Sequence, residues 1–98
     1  MKTFMVEVEL PHHPSDEFFS LIPSQRQIVV ELMSERKIIS YTVSADRTKL
    51  WIVMNANNEE ETRDILSRQP MDKFFTYTFF ELMLHETANQ VFPAVSLN

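Results

Sequence analysis

The sequence contains no cysteine and no glycine. Without thiols there can be neither a disulfide framework nor a thiolate metal site. Without glycine there is no Gly-rich phosphate loop, and turns and helix ends fall to Asn, Asp and Pro. No apolar run approaches the roughly 18 residues that a membrane-spanning helix needs. The N-terminus alternates where a secretory signal would carry an apolar block. Bases are also few: 9 Lys and Arg stand against 14 Asp and Glu, for a net charge of −5. They are scattered, whereas nucleic acid or an anionic membrane demands clustered Lys and Arg. These absences lead us to expect a soluble, cytoplasmic protein with no nucleic-acid partner, no membrane association, no metal and no cofactor.

What is present is apolar and aromatic. The 98 residues are 44% hydrophobic and include eight Phe, which suits one domain over residues 1–98 with a single two-layer core. The most apolar stretch is QPMDKFFTYTFFELMLHE, from Gln69 to Glu86, with the composition of a long strand. Parity puts Phe75, Tyr77, Phe79 and Met83 on one side and Phe74, Thr76, Thr78, Phe80, Leu82 and Leu84 on the other. Neither side reads as a solvent face, so both call for cover.

Elsewhere the patterns are regular. Lys2 to Leu10 alternates Phe4, Val6, Val8 and Leu10 against Thr3, Met5, Glu7 and Glu9, a strand with one core face. Ser15 is an N-cap, with Asp16 and Glu17 in the first turn where the helix dipole favours acids. An apolar stripe then runs through Phe18, Leu21, Ile22, Ile28, Val29, Leu32 and Met33. It stays in phase across Pro23, which predicts one kinked helix over about 15–36, although Ser24-Gln25-Arg26-Gln27 looks like a capping box. Strands are expected near 38–45 and 49–56, joined by Ala45-Asp46-Arg47-Thr48 in a type I-like turn. A second helix near 58–68 opens on Asn57-Asn58 with Glu59, Glu60 and Glu61 behind it, and the long strand spans 73–85. The tail adds Val91, Phe92, Val95 and Leu97.

The order β-α-β-β-α-β is the ferredoxin-like arrangement, an α+β fold with a four-stranded antiparallel sheet and its helices on one face. The other face, carrying Met5, Phe80 and Leu82, is too apolar to stand bare. A second copy packed face to face would cover it and make a C2 dimeric α+β barrel. We therefore expect a homodimer through the sheet faces, or a higher homo-oligomer built on it, with the tail packing on the partner.

Phe4-Met5-Val6-Glu7-Val8-Glu9-Leu10-Pro11, Trp51-Ile52-Val53-Met54-Asn55-Ala56-Asn57-Asn58 and Gln69-Pro70-Met71 leading into the last strand resemble the muconolactone isomerase family of the dimeric α+β barrel superfamily. The likeness covers roughly residues 2 to 85, almost without gaps. It implies a cofactor-free proton shift on a small lactone, in a cleft lined by barrel-facing side chains.

On the residues themselves, Glu7 and Glu9 point away from Val6 and Val8 toward that barrel, where an apolar cleft would raise a carboxyl pKa and suit acid–base work. No Lys or Arg is read onto their face. His85, at the end of the last strand, is a candidate proton shuttle at neutral pH. Glu7 and His85 are thus the candidate catalytic residues. Glu9, Tyr41, Trp51, Thr76, Thr78 and Phe80 are candidates for substrate binding: Tyr41 and Trp51, with Tyr77, as an aromatic wall, the threonines as hydrogen-bonding lining. His12 and His13 lack a third ligand at useful spacing and read as loop. Two functions follow. One is a cofactor-free isomerase or related enzyme acting on a small apolar or aromatic-derived molecule. The other is a non-catalytic small-molecule-binding or structural dimer.

Overall fold

Residues 1–88 are described by a computed structural model; the tail residues Val91, Phe92, Val95 and Leu97 lie outside them. Alternation makes Lys2–Glu9 a strand (β1), and its even residues Phe4, Val6 and Val8 are buried. Ile38–Val43 (β2), Lys49–Ala56 (β3) and Thr76–Leu82 (β4) complete one antiparallel sheet in the order β2-β3-β1-β4. The helices Asp16–Ser20 (α1), Ile22–Ser34 (α2) and Glu59–Leu66 (α3) supply Leu32, Ile65 and Leu66 to the core. Those side chains meet Phe4, Val6, Val8, Leu50, Ile52, Met54 and Ala56, all from one sheet face. This is the ferredoxin-like arrangement, with three helices rather than the expected two.

The extra helix comes from a break at Leu21. The Ser15 hydroxyl accepts from the Phe18 N–H at 3.2 Å and starts α1 as expected. The chain then restarts instead of bending: Leu21 closes α1 and caps α2, and Pro23 sits in the first turn of α2. A proline there loses an N–H that would have no intrahelical partner in any case, and its ring pre-sets the backbone. The single kinked helix is thereby corrected. The capping box is corrected too, because the Ser24 hydroxyl donates back to the Leu21 carbonyl at 3.0 Å instead of capping α2. In α3 the Asn58 side chain accepts from the Glu61 N–H at 2.8 Å, the Asx cap the sequence announced.

Glycine's usual positions are taken by arginine, not by Asn, Asp or Pro. Arg36 has φ 62° and Arg47 φ 64°. Arg36 ends α2 in a Schellman motif: Lys37 N–H donates to the Leu32 carbonyl at 2.9 Å and Arg36 N–H to Met33 at 3.0 Å. Arg47 closes the β2–β3 turn, donating to the Ser44 carbonyl at 3.0 Å, while Asp46 Oδ1 accepts from Ser44 Oγ, Thr48 N and Thr48 Oγ1. Those bonds hold the Asp46 carboxyl below its ordinary pKa, the Ser44 hydroxyl contributing most. Each left-handed non-glycine residue costs about 1–2 kcal/mol, so both places must be held by these bonds.

The last strand is shorter than its composition suggests. Asp72–Phe74 wind into a 3-10 turn, with Phe74 N–H on the Met71 carbonyl at 2.9 Å. At the far end Leu82 pairs with Thr3, and β1 itself starts at Lys2, so β4 runs out of partner. Length here is set by the neighbour rather than by propensity.

Candidate functional site

Among the described residues, the sheet has one face under helices and one without. On the open face, beyond the row of Asn55, Thr3 and Leu82, the register aligns three more cross-strand rows. Val53, Met5 and Phe80 form the first; Thr42, Trp51, Glu7 and Thr78 the second; Lys49, Glu9 and Thr76 the third. Five sequence candidates, Glu7, Glu9, Trp51, Thr76 and Thr78, therefore sit together, with Phe80 beside them and half exposed. Lys49 Nζ lies between the two carboxylates, 3.2 Å from Glu7 Oε2 and 2.5 Å from Glu9 Oε1, and Trp51 Nε1 donates to Glu7 Oε1 at 3.4 Å.

This overturns the reading that no base shares their face. It also reverses the expected electrostatics of Glu9. The Lys49 hydrogen bond holds the Glu9 carboxyl below its usual pKa, and Glu9 followed by Glu7 pushes the Lys49 ammonium up.

His85 is not brought to Glu7. It lies three residues beyond the end of β4, where Leu82 pairs with Thr3, while Glu7 pairs with Thr78 toward the other end of β1. Four residue steps of strand run from Thr3 to Glu7, about 13 Å at 3.3 Å per residue.

The three aromatics do not share a wall either. Trp51 faces the open side, whereas Tyr41 pairs with Ile52 and Tyr77 with Val8, both on the helix side.

That helix side holds the larger cavity, about 550 Å³, between α1, the start of α2 and the turn end of the sheet. Leu10, Phe18, Phe19, Ile22, Leu50 and Phe75 give it apolar walls, and Gln25, Arg26, Tyr41 and Arg47 give it polar ones. A smaller cavity of about 210 Å³, along α2, shares Gln25, Arg26 and Tyr41. Arg26 and Arg47 are exposed, and neither has an ion-pair partner among the described residues.

Beneath the cavity runs a buried polar network. Gln25 and Gln69, each 3% exposed, are bonded Nε2 to Oε1 at 2.8 Å. Gln69 Nε2 donates to the Leu66 carbonyl at 3.1 Å and to the Tyr77 hydroxyl at 3.0 Å; that hydroxyl donates to Asp72 Oδ1 at 2.5 Å. Gln25 Nε2 also donates to the Tyr41 hydroxyl at 3.2 Å, and Gln25 Oε1 accepts from the Met71 N–H at 3.1 Å. Burial raises both tyrosine pKa values, and the Asp72 carboxylate raises that of Tyr77 further. Both stay protonated at neutral pH.

Lys49, Gln25, Gln69, Arg26 and Arg47 were missed from sequence. Lys49 shares parity with Trp51 and was within reach. Gln25 was signalled more weakly, as a polar residue in register with Val29 and Leu32 on the buried side of α2. Among the described residues no group of three His, Asp or Glu side chains is placed to hold a metal, and no helix is long and apolar enough to cross a membrane.

Sheet order and helix placement define a ferredoxin-like α+β fold. The crystal structure of muconolactone isomerase is similar to this chain at 17% identity and a TM-score of 0.68, covering 87% of this chain and 92% of that one. At that identity the likeness shows the fold alone. No protein-family model matches the chain, and no curated protein does.

Proposed function

We propose that this chain is a muconolactone isomerase-like protein that takes a small, mostly apolar or aromatic-derived molecule into the cavity between α1, α2 and the sheet. The observation that carries this reading is the cavity itself: about 550 Å³ of mainly apolar space with Gln25, Arg26, Tyr41 and Arg47 converging on it. Those are the size and lining of a small-molecule site. The cavity supplies a proton donor and positive charge, but the base of a cofactor-free isomerisation would have to come from outside it. The Tyr41 hydroxyl is a proton donor in its wall, and the two rim arginines favour negative charge developing on a ligand oxygen.

The non-catalytic alternative has an observation in its favour: none of the residues lining the cavity is Asp, Glu or His. Proton abstraction from carbon has no base there. In the enzymatic reading the reaction belongs to the opposite sheet face, where Glu7 and, beyond the end of β4, His85 are the catalytic candidates. Glu9, Trp51, Thr76, Thr78 and Phe80 would then line the space that a second copy closes over the open face. That second copy is part of the proposal. Phe80 at 50% exposure, with Met5 and Leu82 beside it in the pairing, leaves apolar surface that a partner sheet would bury.

Calorimetric titration with muconolactone, combined with proton NMR of its conversion in deuterated buffer, separates the two readings. Turnover that falls at least a hundredfold in Glu7→Gln, a loss of the size expected of a general acid or base, supports the enzyme. Binding without conversion supports the binder for this ligand class. If neither muconolactone nor small aromatic ketones bind at millimolar concentration, the cavity is not a ligand site.

A further inference from the structure

The hydrogen bonds under the cavity run in one direction, and that direction is fixed by the backbone. The Met71 N–H can only donate, so the Gln25 atom facing it, 3.1 Å away, must be the amide oxygen. The Leu66 carbonyl can only accept, so the Gln69 atom at 3.1 Å must be the amide nitrogen. With both amides pinned, Gln25 Nε2 uses its two hydrogens on Gln69 Oε1 and on the Tyr41 oxygen. Tyr41 is therefore an acceptor within the protein. Its own hydroxyl hydrogen has no acceptor among the described residues, and Tyr41 lines the cavity.

The geometry points to Tyr41 as the residue that reads the ligand. Its hydroxyl donates into the cavity to a carbonyl-type oxygen on an otherwise apolar small molecule. Gln25 and Gln69 act as positioning residues that keep it a donor. This rests on the cavity being a ligand site. Accepting a bond from Gln25 polarises the phenol, so the bond it donates gains strength from the chain behind it. The unpartnered Arg26 at the rim adds positive potential on the same side. An alkene of the same shape offers the hydroxyl no acceptor and leaves it buried unsatisfied, which is the source of discrimination.

The test uses the full chain and an isosteric pair, 2-acetylnaphthalene and 2-isopropenylnaphthalene, which differ in C=O against C=CH2. Wild type is expected to bind the ketone roughly tenfold tighter than the alkene, the size of one net hydrogen bond. The bound ketone's carbonyl stretch should move to lower frequency. Tyr41→Phe, checked for folding by circular dichroism, should bind the alkene at least as tightly as wild type does, lose the preference and lose the infrared shift. Equal binding of the pair by wild type, or a preference that survives in Tyr41→Phe, overturns the role of Tyr41 while leaving the cavity as a ligand site. Failure of wild type to bind either compound removes the cavity reading, and this inference with it.

Discussion

On the helix side of β1, Phe4, Val6 and Val8 are buried against more Leu, Ile and Met from β3. One residue along in each case, Met5, Glu7 and Glu9 face the uncovered side among Trp51, Lys49, Thr78 and Phe80. Each face departs from its own rule in places. The apolar face contains a buried Gln25–Gln69 pair, and the cavity lies over it. The mixed face contains an apolar row, Val53, Met5 and Phe80, in which Val53 is buried and Phe80 is half exposed. A uniform face holds a fold together. The proposed ligand and the proposed second copy are placed where each face departs from its own pattern.

The comparison can be broken from either side. Ile52 is fully buried between Val6 and Tyr41 in the pairing, and Ile52→Ala should cost about 2–5 kcal/mol of folding stability. Urea denaturation measures it; a loss below about 1 kcal/mol would show that this face is not the core. On the other face Phe80→Asp should leave the monomer fold in place and forfeit about 1.5–3 kcal/mol of association per subunit. Sedimentation velocity should then report monomer, where wild type is expected to sediment as the proposed dimer. An unchanged dimer would put the interface elsewhere, and a wild-type monomer at micromolar concentration would remove the barrel. The smallest effect is expected at Pro23. Because it opens α2, Pro23→Ala should lower stability by about 0.4–1 kcal/mol, chiefly by freeing the unfolded chain. A gain instead would mean that α1 and α2 behave as one helix strained by its proline.

Much of this is legible in the amino-acid sequence. Strict alternation in β1 separates Val6 from Glu7, and Ser15 and Asn58 announce their helices because a short polar side chain can satisfy the first free N–H groups. The break at Leu21 was hidden by a stripe that stays in phase on both sides of it, so periodicity could not tell a kink from a restart. The trimmed β4 depends on where β1 begins, some seventy-nine residues earlier, as the Thr3–Leu82 pair shows. The same holds for the sites. Lys49 meets Glu7 and Glu9 only through the β1–β3 register, and Gln25 meets Gln69 across 44 residues of sequence. Local patterns specify elements; the groups that converge on a cavity are chosen by the packing.

The two left-handed arginines have a consequence for proteolysis. A trypsin-like protease cuts after arginine and binds its substrate as an extended strand. Arg36 and Arg47 offer it the opposite backbone sense, tied down by Lys37 on Leu32 and by the Ser44–Lys49 pair. Cleavage at either bond has to wait for the helix end or the turn to open, so its rate under gentle digestion reports those two local openings separately from the unfolding of the core.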